Sequence, residues 1–178
     1  MIILPSEILS VCSGLIEEIN TEGEVYKTTK EILGLGFYIH IEELDLDQEE
    51  LFIRNYYGER YERRAEEEKF HYEQLKYSLL HKVKEVQYFF NQNIENRKII
   101  VFSNDCISLA QYLRRKDLSI LMVYMRSSDV KDLLPIDLLN LARILKAINK
   151  EYPAGVELIE IVDVTIGSAH YYLKGGRV

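Results

Sequence analysis

The sequence predicts a mixed α/β chain of the α+β kind, and three observations carry that reading. Residues 65–93 place Tyr72, Leu75, Leu79, Val83, Val86 and Phe90 at spacings of three and four with Glu and Lys elsewhere, the period of an amphipathic helix. Three short apolar runs rich in β-branched and aromatic residues follow: Ile99 to Ser103, Ile107 to Leu113 and Leu118 to Arg126. In the last, Leu118, Ile120, Met122 and Tyr124 share one face and Leu121, Val123 and Met125 the other, so both faces of its sheet are expected to be covered.

Taken in order, Pro5-Ser6-Glu7 starts a helix that carries Ile8, Leu9, Val11, Cys12, Leu15 and Ile16 and ends before Gly23. From Val25 to Leu44 the alternation of Phe37, Ile39 and Ile41 against Tyr38, His40 and Glu42, punctuated by Gly34 and Gly36, reads as a strand at a sheet margin. The helix at 65–93 comes next. The second and third apolar runs, joined by Arg114-Arg115-Lys116-Asp117, make a hairpin. Leu134 to Ile148 returns to helical spacing with Pro135 in its first turn, and Val156 to Val164 is a final strand. The predicted order is α, β, α, β, β, β, α, β, in one domain spanning 1–178 with no internal repeat.

The composition narrows the function classes. With 47% apolar and 29% charged residues the 178-residue chain has material for a core. A net charge of −7 argues against coating nucleic acid or an anionic membrane, while leaving room for a small anionic ligand held by a few arginines. Two cysteines, Cys12 and Cys106, are too few for a disulfide framework, and with His40, His71, His81 and His170 they form no metal-ligand spacing. No basic leader precedes the first apolar residues, and no apolar run is long enough to span a bilayer. A cytoplasmic protein without nucleic-acid or membrane partners is expected. Gly34 and Gly36 lack the third glycine and the context of a dinucleotide loop.

Two segments stand out, MRSSDVKDLLPIDLL (Met125 to Leu139) and GSAHYY (Gly167 to Tyr172). Read alone, Arg126-Ser127 is a turn with a helix cap, Asp137 an acid in a helix's first turn, His170 and Tyr172 a packed aromatic edge, and Cys106 a small apolar filler. Read together, they resemble the nucleotide-binding core of the thymidylate synthase and pyrimidine hydroxymethylase family, whose pattern runs roughly RSxDxxxGxPFN and then GDxHxY. Arg126, Ser127, Asp129, Pro135, Gly167, His170 and Tyr172 fall in register.

That resemblance implies a thymidylate synthase-like fold: a mixed, mainly antiparallel sheet with helices on one face and a sheet-to-sheet homodimer. It also implies a ligand, a pyrimidine nucleoside monophosphate. Arg126 with Ser127 would take the phosphate, and His170 and Tyr172 a sugar hydroxyl. Asn96-Arg97-Lys98-Ile99-Ile100-Val101 is similar to the family's SRRIIV segment, so Arg97 and Lys98 would reach the phosphate bound in the partner subunit. Asp137 stands where a thymidylate synthase has asparagine, the mark of cytosine-directed hydroxymethylases. A carboxyl there accepts a hydrogen bond from the exocyclic amino group.

Aligning backward from Arg126 through Gln111 puts Cys106 on the catalytic cysteine, whose thiolate adds to carbon 6 and makes carbon 5 nucleophilic toward a one-carbon unit borne by methylene-tetrahydrofolate. Arg126 is expected to lower the thiol pKa; Asp105, in place of the family's proline, opposes it, and Ile107 replaces a histidine. Tyr57-Gly58 resembles the family's YGxxW element, making Tyr57 a second catalytic candidate. The family's proton-relaying glutamate has no counterpart, with Glu42, Glu43, Glu49 and Glu50 as substitutes that spacing does not separate. The resemblance therefore implies a carbon-5 hydroxymethyl- or methyltransferase with cytosine favoured. The alternative is a catalytically inactive nucleotide-binding homologue, a sensor or complex subunit.

Overall fold

Ser6 opens the first helix, its Oγ accepting the N–H of Leu9 at 3.0 Å, and the chain continues into α1 (Glu7–Glu22) until Gly23 caps its end. Ile8, Cys12, Leu15 and Ile19 form its buried stripe. After it come β1 (Glu24–Tyr26), β2 (Thr29–His40), α2 (Leu46–Tyr57), a 3-10 turn at Gly58–Arg60, α3 (Tyr61–Phe90), β3 (Ile100–Phe102), β4 (Ile107–Arg115), β5 (Leu118–Asp129), α4 (Leu134–Glu151) and β6 (Ile159–Tyr172). The computed structural model describes residues 6–90, 99–103 and 105–173.

The fold is α+β. Six strands make one mixed sheet in the order β1-β2-β6-β5-β4-β3, antiparallel at every pairing except β5 with β6. That parallel pair is joined by α4, as a crossover requires. One row across the sheet, Val101, Ala110, Val123, Val164 and Phe37, faces the helices. Against it lies α4, which touches α1, α2, α3, β5 and β6 and is buried nearly all round through Leu134, Ile136, Leu138, Leu141, Leu145 and Ile148. Each such leucine contributes about 2 kcal/mol by leaving water. Glu49 of α2 locks α1 onto this layer, its carboxylate accepting Ser6 Oγ at 2.5 Å, the Glu7 N–H at 3.0 Å and the Ile8 N–H at 3.3 Å.

Several expectations need correction. Helix α2 and strand β1 were not read from the sequence, β1 rather than β2 occupies the margin, and β6 runs on to Tyr172. Among the described residues the helices cover β5 on one face only, so the expected cover of its second face would have to come from another subunit. On that second face, the rows Phe102–Leu109–Tyr124–Thr165 and Ile100–Gln111–Met122–Asp163–Tyr38 lie open, with Phe102 75%, Tyr38 64% and Tyr124 43% exposed. No helix among the described residues is long and apolar enough to cross a membrane.

Candidate active site

Because β5 and β6 are parallel, their C-terminal ends emerge at the same edge of the sheet, the edge at which α/β sheets hold ligands. Strand β4 begins there too, and α4 starts beside it. Around this edge, roofed by α3, is a cavity of about 920 Å³. Arg126, Ser127, Ser128 and Asp129 enter it from β5, His170 and Tyr172 from β6, Asp137 from the first turn of α4, and Cys106 from the approach to β4.

Local chemistry fixes each of these. Asp129 ends β5 in a turn, its Oδ1 accepting the N–H groups of Lys131 at 3.2 Å and Asp132 at 3.1 Å, while the Val130 N–H donates to the His170 carbonyl at 2.9 Å. This turn sets where α4, and so Asp137, begins. His170 and Tyr172 stand edge to face, ring centroids 5.6 Å apart, with His170 Nδ1 3.3 Å from the Ser168 carbonyl. Gly167 is a glycine because a Cβ would stand 2.7 Å from the Arg126 carbonyl and 3.0 Å from Tyr124 Oη; β5 and β6 approach too closely for a side chain. Arg126 Nε donates to the Asp105 carbonyl at 3.1 Å, and the Asp105 carboxylate pairs with His71 Nδ1 at 3.1 Å.

The electrostatics are acidic. Burial, first, and then Asp137 and Glu68 raise the Cys106 thiol above its usual range; Arg126 pulls it down and Asp105 pushes it up again. Arg126 and Asp105 thus act in the expected directions, but burial and the two other carboxyls outweigh the arginine. Asp137, 5% exposed, is pushed up to about 8, mainly by burial and then by Glu68, while Tyr72 favours its ionised form. Glu68, half-buried on α3, is itself raised, by burial.

The cavity thus unites Cys106, Arg126, Ser127, Asp129, Asp137, His170 and Tyr172. Tyr57 is not in its lining: it is buried in the core, its hydroxyl without a hydrogen-bond partner. Arg97 and Lys98 lie outside the described residues. None of Glu42, Glu43, Glu49 and Glu50 lines the cavity; Glu49 caps α1, and Glu50 binds Arg143 and the Tyr61 hydroxyl.

Sequence reasoning missed Glu68, His71, Tyr72 and Ser128. The first was within reach, since Glu68 lies four residues before Tyr72 and continues the stripe Tyr72, Leu75, Leu79 upstream, an acid at a core position. Among the described residues no group of three or more His, Cys, Asp or Glu is arranged to hold a metal. No protein-family model matches the chain, and no curated protein sequence matches it.

Proposed function

We propose that this chain is a thymidylate synthase-like transferase that hydroxymethylates or methylates carbon 5 of a pyrimidine nucleoside monophosphate, cytosine favoured, and that it works as a homodimer. The observation that carries the proposal is that five residues in register with the nucleotide-binding pattern, Arg126, Ser127, Asp129, His170 and Tyr172, line one cavity together with Cys106 and Asp137. In this reading Arg126 and Ser127 bind the phosphate, His170 and Tyr172 the sugar, and Asp137 accepts from the exocyclic amino group. Cys106 Sγ adds to carbon 6 after losing its proton, and carbon 5 later releases its own proton to a base. We assign that proton exchange to Glu68, a half-buried carboxyl whose charge acts on Cys106.

Phe70, Tyr77 and Phe102, exposed rings on the cavity wall, suit a planar ring system such as that of methylene-tetrahydrofolate. When bound, that molecule supplies the one-carbon unit. The open apolar sheet face supports a second copy packed there, since a patch of this kind marks an interaction surface. Under this reading Arg97 and Lys98 of each subunit serve the phosphate of the other.

A second reading, nucleotide binding without turnover, is favoured by the raised Cys106 thiol. Release of tritium from carbon 5 of labelled dCMP, CMP and dUMP, with and without methylene-tetrahydrofolate, separates the two. Release that Cys106→Ser abolishes supports the enzyme; saturable binding with no release supports the second reading. A monomer at micromolar concentration in light scattering would remove the shared phosphate site.

A further inference from the structure

Ser128 is 4% exposed and lines the cavity, and its Oγ makes no well-formed hydrogen bond, although it stands close enough to the Asp137 carboxyl to favour that group's ionised form. A buried hydroxyl in that condition is unfavourable in the free protein unless something else completes it. Beside it lies Asp137, equally buried. The groups that act on this carboxyl from each neighbouring element are Glu68 and Tyr72 on α3, Ser128 and Asp129 on β5, Cys12 on α1, Tyr57 on α2, and Cys106. All are acidic or neutral; the basic groups of the same cavity are Arg126 on β5, His71 on α3 and His170 on β6, of which Arg126 Nε donates to the Asp105 carbonyl and His71 pairs with the Asp105 carboxylate. A carboxyl enclosed by such neighbours holds its proton, because charge buried without a counter-ion is costly.

We infer that the floor of the cavity reads its ligand through two uncharged groups, the Ser128 hydroxyl and a protonated Asp137 carboxyl, making Ser128 a specificity-determining contact. The inference rests on the nucleotide reading of this cavity and deepens it. A protonated carboxyl offers one acceptor and one donor side by side. The edge of a cytosine presents the complement, an amino donor next to the lone pair of ring nitrogen 3. Ser128 supplies a third hydrogen bond to the same ring or its carbonyl. An ionised carboxylate would instead set an oxygen lone pair against nitrogen 3. Because Asp137 is pushed up to about 8, affinity for a cytosine nucleotide falls as pH rises through that value.

Two measurements test this. In the first, CMP is titrated calorimetrically at pH 7 and pH 9.5 into the Cys106→Ser protein, so that the thiol does not titrate, and into the same protein carrying Ser128→Ala or Asp137→Asn. Loss of one neutral hydrogen bond predicts about tenfold weaker binding for Ser128→Ala, with an unfolding temperature no lower than its parent's. The parent weakens between pH 7 and pH 9.5, and the Asp137→Asn variant does not. Equal affinity with and without the Ser128 hydroxyl, or a lower unfolding temperature on its removal, overturns the contact.

In the second, the infrared spectrum of the ligand-free protein is compared with that of Asp137→Asn at pH 7. A carbonyl band of a protonated carboxyl that the substitution removes supports the uncharged floor, and its absence overturns it. If the parent binds no pyrimidine nucleotide, the proposed function falls and the Ser128 contact with it. Binding that ignores Ser128 sinks only the present inference.

Discussion

The backbone N–H of Arg126 donates to the carbonyl of Cys106 at 2.8 Å, so the residue just before β4 is held against the end of β5. The hairpin thus brings the two residues' backbones together beside the cavity. Arg126 favours the thiolate, but burial together with Asp137, Glu68 and Asp105 outweighs it. Alkylation of Cys106 by iodoacetamide is therefore expected to be slow at pH 7 and to accelerate only above the usual thiol range. Glu68→Gln should shift the rate profile to lower pH and Arg126→Met to higher pH. Peptide mass spectrometry reads the rates, with buried Cys12 as the unreactive internal reference.

Asp137 makes stability pH-dependent. Its carboxyl titrates near its ordinary value of 3.8 in the unfolded chain and at about 8 in the folded one, so between those values the folded state holds the extra proton. The contribution of Asp137 to stability is greatest below the lower value, declines as pH rises toward the upper one, and is then level. Removing the ionisable group stabilises the protein at high pH by up to a few kcal/mol, since each tenfold change in proton affinity between the two states corresponds to about 1.4 kcal/mol. Urea unfolding of wild type and Asp137→Asn at pH 5, 7 and 9 should show a gap that widens with pH.

Glu49 holds the start of α1 through three hydrogen bonds from a buried position. Glu49→Ala leaves Ser6 and two N–H groups without that acceptor, a loss of about 3 kcal/mol. Its denaturation midpoint should fall accordingly, with Glu49→Gln between the two.

Gly167→Ala forces a methyl group toward the Arg126 carbonyl, where 2.7 Å is available. Overpacking of this sort costs about 1–3 kcal/mol, and relief requires β5 to move. Lower stability and, under the proposed function, weaker nucleotide binding should appear together. Mutating the site's exposed rim residue Phe102 to Ser provides the comparison in which stability is kept.

Tyr57→Phe deletes a buried hydroxyl that makes no hydrogen bond. Stability unchanged or higher by about 1 kcal/mol is expected. Under the proposed function its nucleotide affinity should match wild type, because Tyr57 is outside the cavity lining.

The parts of the fold that were legible in the sequence are those whose apolar residues keep period. The stripe of α3, the hairpin β4–β5 and the helix α4 all announce themselves in this way. Two of the features that stayed hidden, α2 and Glu68, share a cause, an acidic residue at an inward position. In α2 the inward positions are Glu49, Ile53 and Tyr57, and in α3 Glu68 precedes Tyr72, so each stripe reads as broken where a carboxylate enters the protein. Glu49 does so to cap a helix, Glu68 to face a cavity; no single-residue scale separates these cases. The last stretch of β6 was missed because Thr165, Gly167 and Ser168 interrupt the apolar alternation. Most of the site was visible only through spacing between distant segments, whereas Ser128 and Tyr72 needed the third dimension.

The place of β6 in the sheet bears on how the chain comes to be folded. It lies between β2 and β5, so it joins the N-terminal hairpin to the rest of the sheet, and it is the last of the described strands to leave a ribosome. Until it emerges, β2 and β5 each have a row of backbone groups with no strand to bond. The wall bearing His170 and Tyr172 is also missing. Local helices and the β4–β5 hairpin can form early, but the sheet closes through contacts far apart in sequence, which are slow to find. Translation thus delivers two half-sheets with bare edges, the kind of species in which unpaired strands invite aggregation before the sheet closes.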